Sequence, residues 1–406
     1  MKLSEELQWR GFANQTTYKD ISQIDSEPIT FYFGVDPSAS SMTIGNLAAV
    51  MMVRKFIKAG HQAVILIGGA TGLIGDPDGK ATERELKSVD EVQRYKEGII
   101  SQYESLFEGM DFEVVDNYEW FKNMGYLEFL RSVGKHVPMR QMLGRDFVQS
   151  RLGEDGAGIS YAEFSYVLIQ AYDFLYLNQN HGVSLQLCGS DQWGNSIAGV
   201  DLIRRITGHE AHVWSIPLVV NKTTGVKFGK SEEGAIWLDP NLTSPFKFYQ
   251  FWLNVDDQGV EDYLKIYTEL SKEKTDEVMS QFKVAPHERL AQKTLAREVT
   301  TLVHGAIVAE AVVRASEVLF GQESFLDISD VEKSILINEL GEICASGDLL
   351  NDIVTSGLAA SKSQARTFVQ SGAISINGEK VTLESAIFRP GYNLMKRGKN
   401  NFAIFF

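Results

Sequence analysis

Short apolar runs alternate with segments of helical periodicity over the first 240 residues of the chain. The runs are rich in β-branched residues and each is followed by Gly or Asn, which predicts buried strands at Thr30–Phe33, Ala63–Ile67, Ser184–Cys188 and Ile216–Val220. Leu47–Ala59 and Asn195–Ile206 carry apolar residues at helical spacing. This alternation predicts an α/β fold whose parallel sheet is covered on both faces, with ligands bound beyond the carboxyl ends of the strands.

The pattern becomes helical after residue 240. Thr243-Ser244-Pro245 predicts a helix start, because a capping hydroxyl precedes a proline at the first helical position. Helical spacing continues to about Phe320, and a looser acidic stretch follows. We therefore expect a catalytic domain at residues 1–240, a helical domain at 241–325, a linker at 326–340 and a C-terminal module at 341–406.

The last part of the chain predicts a small α+β module. Two short helices are expected at Leu349–Ser356 and Ser363–Ser371, with Ser361 as the cap of the second, and Asn377-Gly378 predicts a hairpin turn that needs positive φ at both positions. From residue 361 onward there are seven basic and two acidic residues, although the whole chain carries a net charge of −14. This segregation of charge favours a surface that faces RNA or phosphate over a simple solvated tail.

Composition narrows the class of protein. With 44% hydrophobic and 23% charged residues, the 406-residue chain is of ordinary globular composition. Its apolar stretches are too short to cross a membrane, and we expect no secretory signal because no apolar segment follows the basic start. Cys188 and Cys344 are too few for a disulfide framework or a zinc cage, so we expect a cytoplasmic protein with no tightly bound metal and no membrane contact. The negative net charge requires any nucleic acid to meet a local basic surface.

Several loops at the predicted strand ends carry polar residues. The glycine-rich loop after Ile67 matches neither a dinucleotide fingerprint nor a Walker loop, and it delivers Asp76, a natural partner for an ammonium group. Tyr166, Gln170 and Asp173 share one face of a helix that is otherwise apolar nearly all round, which predicts a small polar pocket. A helix start near Thr43 suits phosphate.

The chain closely resembles the bacterial tyrosyl-tRNA synthetases, class I aminoacyl-tRNA synthetases, in five separate runs: ATGLIGDP, EFSYVLIQAYDF, GSDQWGN, KFGKS and SPFKFYQFW. The likeness extends from Leu7 to Lys399. It implies a Rossmann-like catalytic domain, a helical domain that contacts the anticodon stem, and an RNA-binding module like that of ribosomal small-subunit protein four. It also implies a homodimer through the insertion around Trp120–Leu143, ATP with Mg²⁺, and L-tyrosine and tRNA(Tyr) as the other substrates.

The resemblance further implies the roles of the site residues. Tyr32 and Asp173 would bind the phenol of tyrosine, and Asp76, Tyr166 and Gln170 its ammonium group. Gln186 would orient the substrate, and Gln192 would lie near its carboxylate. The nucleotide would contact Gly34, Asp36, Gly45, Asn46, Gly189, Asp191 and Lys230. The catalytic groups would be Ser38, Thr43, Lys80, Arg84, Lys227 and Lys230. The tRNA would contact Arg366, Lys396, Arg397 and Lys399.

One motif departs from the family. The signature His-Ile-Gly-His is Thr43-Ile44-Gly45-Asn46 here, and Ser38 replaces a threonine. Losing one preorganised donor costs about 2.7–4 kcal/mol of transition-state stabilisation. The lysine loop and the tyrosine pocket remain whole, so a working tyrosine–tRNA ligase is expected. The replacements at Thr43 and Asn46 leave a slow or repurposed (resistance-type) duplicate as the alternative. A non-catalytic RNA-binding protein is disfavoured because it needs neither Asp76 nor Lys230, and a tryptophan-specific relative is disfavoured because Tyr32 and Asp173 both pair hydroxyl groups.

Overall fold

The fold is that of a computed structural model which describes residues 1–77, 87–144, 146–153, 158–226, 228–231, 234–383 and 388–406, with backbone alone at 141, 146, 147, 230 and 231. Among the predicted site residues, Lys80, Arg84 and Lys227 lie outside the described residues, and Lys230 is described only in its backbone. The chain packs as two units. The first comprises residues 1–242 and 255–291, and the second comprises residues 243–254 and 292–406.

Three sheets contain the strands of the described residues. The strands are β1 (Gln15–Thr16), β2 (Thr30–Val35), β3 (Gln62–Ile67), β4 (Phe112–Asp116), β5 (Val183–Gly189), β6 (His212–Ile216), β7 (Lys230–Ser231), β8 (Gly234–Ala235), β9 (Glu342–Ile343), β10 (Ile374–Ile376), β11 (Glu379–Lys380), β12 (Asn393–Arg397) and β13 (Asn401–Phe405). The large sheet of the first unit has the order β1-β6-β5-β2-β3-β4 and is parallel except for β1. The second unit contains the sheet β11-β10-β12-β13-β9, and β7 pairs with β8.

Helices cover the sheet and make up most of the rest of the described chain. They are α1 (Leu3–Arg10), α2 (Ile44–Lys58), α3 (Thr71–Ile74), α4 (Val89–Leu106), α5 (Tyr118–Phe121), α6 (Tyr126–Ser132), α7 (Met139–Leu143), α8 (Asp146–Leu152), α9 (Tyr161–His181), α10 (Trp193–Ile206), α11 (Pro245–Leu253), α12 (Val260–Tyr267), α13 (Lys272–Val284), α14 (Leu290–His304), α15 (Ala306–Phe320), α16 (Asp330–Leu340), α17 (Leu349–Thr355) and α18 (Lys362–Gln370). None of these helices is both long and apolar enough to span a membrane.

Local chemistry explains where several elements begin and turn. The Ser244 hydroxyl caps α11 by accepting from the backbone N–H of Lys247, and Pro245 occupies the first turn. Ser361 caps α18 in the same way. Asn377 and Gly378 have φ values of 50° and 87°, as the hairpin between β10 and β11 requires. These three predictions are confirmed.

Two predictions differ from the structure. The strand expected at Ile216–Val220 is wrong, because β6 ends at Ile216 and Pro217, which has no N–H for a ladder, follows directly. The stretch 326–340, expected to be a linker, contains α16. Its start at Ser329 carries a capping box with Glu332.

The core of the first unit supports the carboxyl ends of the strands. Val64, Leu66 and Val213 from the sheet are buried against Phe174 and Leu202 of α9 and α10. The strand pairing aligns Val35 of β2 with Ile67 of β3, and Ile67 with Asp116 of β4. The polar loops that follow these strands therefore emerge at one edge of the sheet.

Candidate active site

A cavity of about 360 Å³ lies in the first unit, among the loops at the carboxyl edge of the parallel strands. Its walls come from the ends of β2, β3 and β5, one face of α9 and the start of α2. Fifteen of the predicted site residues line it: Tyr32, Gly34, Asp36, Ser38, Thr43, Gly45, Asn46, Asp76, Tyr166, Gln170, Asp173, Gln186, Gly189, Asp191 and Gln192. The fold thus brings segments that are far apart in sequence into one hollow.

Asp173 lies at the buried wall of the cavity, near Tyr32. Both side chains are 1% exposed. One carboxylate oxygen of Asp173 accepts from Asn117 Nδ2 at 3.1 Å, and the other accepts from Trp120 Nε1 at 2.9 Å. Burial raises the pKa of Asp173 to about 8, although these two hydrogen bonds act in the opposite direction. The wall therefore presents a buried carboxyl group whose orientation is fixed by two hydrogen bonds.

Three further polar atoms of the cavity are buried. The Tyr32 hydroxyl, Gln170 Oε1 and Gln186 Oε1 have no hydrogen-bond partner among the described residues. Buried polar atoms in folded proteins nearly always have partners. Their presence in one hollow indicates a site built for a ligand that carries its own donors and acceptors.

Two carboxylates give the neighbouring part of the cavity a negative field. The Tyr166 hydroxyl donates to Asp36 Oδ2 at 2.7 Å, and the Thr71 hydroxyl donates to Asp36 Oδ1 at 2.6 Å. Asp76 accepts from Gln192 Nε2. Burial, with the charges of Asp36 and Asp76, raises the pKa of the Tyr166 phenol well above its usual value. The arrangement suits a cationic group such as an ammonium.

Two glycines bring the loop after β3 close to the carboxylates of Asp36 and Asp116. A Cβ at Gly68 would lie 2.0 Å from Asp36 Oδ1, and a Cβ at Gly69 would lie 2.2 Å from Asp116 Oδ1. No other residue allows so close an approach. The Gly69 N–H in fact donates to Asp116 Oδ1, which fixes the loop against the end of β4.

The start of α2 lines another part of the cavity. Thr43 is its N-cap, and the Thr43 hydroxyl donates to Asn46 Oδ1 at 3.0 Å. The Thr43 N–H donates to the same oxygen at 2.9 Å. The two residues that replace the signature histidines therefore bind each other, and Gly45 and Asn46 are exposed at the helix start, where backbone N–H groups favour phosphate.

The four predicted tRNA contacts in the second unit differ in their surroundings. Arg366 and Lys399 are exposed. Lys396 Nζ instead donates to the carbonyl oxygens of Val318 and Leu319 at the end of α15, and burial lowers its pKa. Arg397 donates to the Leu358 carbonyl oxygen and lies over the Phe368 ring. Two of the four basic groups therefore bind within the chain.

Comparison with known proteins gives consistent results over the whole chain. Residues 25–321 match the family described as tRNA synthetases class I (W and Y), and residues 342–405 match the tyrosine–tRNA ligase SYY-like C-terminal domain. The tyrosine–tRNA ligase of Geobacillus kaustophilus is 43% identical, with 99% of each chain covered. The tyrosine–tRNA ligase 2 of Bacillus cereus is 42% identical, covering 100% of this chain and 99% of the relative. A crystal structure of a C-terminally truncated Aspergillus nidulans mitochondrial tyrosyl-tRNA synthetase matches with a TM-score of 0.71 and 30% identity, covering 79% of this chain and 94% of that one.

The chain belongs to the tyrosyl-tRNA synthetase family. This membership makes it an aminoacyl-tRNA ligase with the class I fold, and the family uses ATP. The fold class, the family and the reaction class expected from the sequence are confirmed. No group of three or more His, Cys, Asp or Glu side chains placed to hold a metal ion occurs in the part of this synthetase that the structure describes.

Sequence reasoning missed two residues that hold Asp173 in this synthetase. Asn117 is fully buried, and its Nδ2 also donates to Thr71 Oγ1 at 3.1 Å. Trp120 stacks on Tyr176 with ring centroids 4.3 Å apart. Asn117 follows β4 directly, so the rule that marked the other strand ends would have found it had β4 itself been predicted.

Proposed function

We propose that the protein activates L-tyrosine with ATP and then transfers the tyrosyl group to the 3′ end of tRNA(Tyr). In the first step a carboxylate oxygen of tyrosine attacks the α-phosphorus of ATP, and the bond from that phosphorus to the bridging oxygen breaks. Tyrosyl-adenylate forms and pyrophosphate leaves. In the second step a hydroxyl of the terminal ribose attacks the carbonyl carbon of the adenylate, and AMP leaves. The reaction belongs to the cytoplasm, where tRNA and ATP are present.

The observation that carries this proposal is the convergence of complementary groups in one cavity. Tyr32 and Asp173 pair the phenolic hydroxyl of the substrate at the buried wall. Asp76, Tyr166 and Gln170 pair its ammonium group, and the negative field described above supports that role. Gln186 orients the substrate, and Gln192 lies beside the carboxylate. A phenylalanine would leave the wall's polar groups unpaired, and this enzyme family is itself a well-known example of such rejection.

The nucleotide occupies the other half of the cavity. Gly34, Asp36, Gly45, Asn46, Gly189 and Asp191 surround ATP, which arrives with its Mg²⁺. Thr43 and Ser38 contribute hydroxyl groups near the α-phosphate, and Lys80, Arg84, Lys227 and Lys230 neutralise the departing pyrophosphate. In the second unit the exposed Arg366 and Lys399 contact the tRNA, since the charged ends of Lys396 and Arg397 bind carbonyl oxygens of the chain.

The test of this function is tyrosine-dependent exchange of labelled pyrophosphate into ATP, followed by charging of tRNA(Tyr). We expect exchange that requires tyrosine and is not supported by phenylalanine or tryptophan at the same concentration. Exchange about a hundredfold slower than is usual for the family would instead identify a slow duplicate whose Thr43 does not replace the missing histidine. Absence of exchange with retained tRNA binding would identify an RNA-binding protein and contradict the proposal.

The proposed enzyme is a homodimer. Large apolar side chains are exposed in and beside the insertion: Tyr126 (61%), Leu127 (74%), Met139 (58%) and Tyr161 (61%). A patch of this kind is typical of a protein–protein interface. A second copy fits it because the resemblance assigns this segment to dimerisation.

We expect the 45.3 kDa chain to sediment at twice its mass, and Leu127→Asp to shift it to the monomer at micromolar concentration. A charge placed in an apolar interface is left without a partner when the interface closes. Val284→Asp is the control, because Val284 is 86% exposed on α13 and outside the patch. A wild-type monomer, or equal dissociation by both variants, would contradict the dimer.

A further inference from the structure

The loop that leads into α2 is held by a side chain of α4. Gln102 Oε1 accepts from the backbone N–H of Met42 at 2.8 Å, and Gln102 Nε2 donates to the Ser41 hydroxyl at 2.8 Å. Met42 and Ser41 are 2% and 4% exposed. One amide group therefore satisfies both a buried backbone donor and a buried hydroxyl, in the two residues that precede the N-cap at Thr43.

The Ser41 hydroxyl extends this connection to the segment that follows the KFGKS motif at residues 227–231. It donates to the Met42 carbonyl oxygen at 2.8 Å and accepts from the Asp239 N–H at 3.1 Å. Leu238 N–H donates to the same Met42 carbonyl, and Ile44 N–H donates to the Ile236 carbonyl. The start of α2 and the chain just after the lysines are thus anchored on one another and, through Gln102, on α4.

A glycine on the same face of α4 sets how closely the loop approaches. A Cβ at Gly98 would lie 2.3 Å from the backbone carbonyl oxygen of Ser40. Backbone cannot rotate away as a flexible side chain can, so any larger residue would displace the loop. Gly98 and Gln102 are four residues apart and share one helix face. Gly98 therefore allows the close approach of the loop, and Gln102 holds the loop there by hydrogen bonds.

We propose that Gln102, with Gly98, is a positioning residue for the activation of tyrosine by ATP. It holds the loop so that Ser38 and Thr43 lie beside the α-phosphate of ATP. This inference rests on the proposed function. Gln102 is absent from the described residues that line the cavity, so it acts through the loop and not on the substrate. The same contacts join the loop to residues 236–239, so Gln102 also supports the attachment of that segment to the start of α2.

The position of such a loop has a large effect on rate. Displacing a group that contacts the reacting phosphate by about 1 Å lowers a rate by about a hundredfold. The tyrosine-binding wall is built on α9 and on the ends of β2, β3 and β5, none of which Gln102 contacts through a side-chain hydrogen bond recorded for the described residues. A defect at Gln102 is therefore expected in the ATP-dependent step and not in tyrosine binding.

The test compares Gln102→Leu with Gln93→Leu, because Gln93 is exposed on the same helix and hydrogen-bonds only Glu97 among the described residues. The rate of tyrosyl-adenylate formation is measured per tyrosine-binding site, so unfolded molecules are not counted. We expect Gln102→Leu to lower this rate by about tenfold to a hundredfold, with tyrosine affinity within about twofold of the wild type. Gln93→Leu should leave both values unchanged.

Two further variants distinguish a positioning role of Gln102 from a nonspecific loss of structure. Gln102→Glu keeps the acceptor for Met42 and should retain most of the rate. Gly98→Ala improves helix propensity but should lower the rate as Gln102→Leu does, since it pushes the loop outward. Unchanged rates per site in Gln102→Leu and Gly98→Ala, or a tyrosine affinity that falls as much as the rate, would overturn the inference.

A second readout keeps this inference distinct from the proposed function. Affinity for a non-hydrolysable ATP analogue, measured by calorimetry, should fall in Gln102→Leu and stay unchanged in Gln93→Leu. Lack of exchange by the wild type would refute the function, and the analogue would still report whether Gln102 positions the nucleotide side. If the wild type shows no exchange, and if it binds the ATP analogue with the same affinity as Gln102→Leu, both the proposed function and the positioning role of Gln102 are refuted.

Discussion

Replacing Asp173 by alanine will weaken tyrosine binding by about 2–3 kcal/mol, roughly 30- to 160-fold, with no loss of phenylalanine binding. The phenolic hydroxyl would lose its acceptor at a wall that is almost fully buried. The preference for tyrosine over phenylalanine should narrow by the same factor. Equilibrium dialysis with both labelled amino acids measures it.

Phenylalanine serves as the internal control for this variant. Removing Asp173 also leaves the Nδ2–H of Asn117 and the Nε1–H of Trp120 without their acceptor, so some loss of stability is expected. A molecule that still folds will bind phenylalanine at least as well as the wild type does, because one buried group that phenylalanine leaves unpaired has been removed. Tyrosine affinity that is unaltered, or that falls together with phenylalanine affinity, would contradict the assigned role.

Replacing Glu269 by glutamine will destabilise the first unit by about 2–4 kcal/mol. Glu269 binds three basic groups of α2: Arg54 Nε at 2.7 Å, Lys58 Nζ at 2.8 Å and Lys55 Nζ. The side chains of Arg54 and Lys55 are 10% and 5% exposed, so their charges would stay buried with less compensation. Urea unfolding at pH 7 measures the loss. Glu277→Gln is the control, since its ion pair with Lys274 is exposed and contributes at most about 1 kcal/mol.

The Glu269 carboxylate also makes the stability of the first unit depend on pH in the acid range. Burial alone would raise the pKa of Glu269, but Lys55, Lys58 and Arg54 outweigh burial and lower it to about 2 from a usual value of 4.5. The unfolded chain therefore binds more protons between these values, so the stabilisation is complete above about pH 4.5 and is lost as the pH falls toward 2. The gap in stability between wild type and Glu269→Gln should shrink over that range. A gap that stays constant from pH 7 to pH 3 would contradict this assignment.

The sequence predicted helix caps and turns correctly, because these features depend on the local backbone and on a few neighbouring residues. The cap at Ser361, the proline at the start of α11 and the turn at Asn377-Gly378 depend on a few neighbouring residues, and all three were found. The prediction of a strand at Ile216–Val220 is wrong because it rested on apolar content alone and ignored Pro217, which interrupts strand pairing. The preceding β6 includes His212 and Ser215, which weaken its apolar pattern.

The candidate site was predicted in outline because strand ends and helix faces bring polar residues together. The face shared by Tyr166, Gln170 and Asp173 does line the cavity. Which groups pair with one another depends on tertiary contacts, so the bond from Tyr166 to Asp36 and the support of Asp173 by Asn117 were not foreseen. Charge counting likewise located the basic module but not the inward direction of Lys396.

The most direct test of the account is a crystal structure of the protein with L-tyrosine bound. We expect the phenolic oxygen within about 3 Å of both the Tyr32 hydroxyl and a carboxylate oxygen of Asp173, with the ammonium group beside Asp76 and Gln170. Tyrosine bound outside this cavity, or bound with its ring reversed so that the ammonium group meets Asp173, would contradict the central claim.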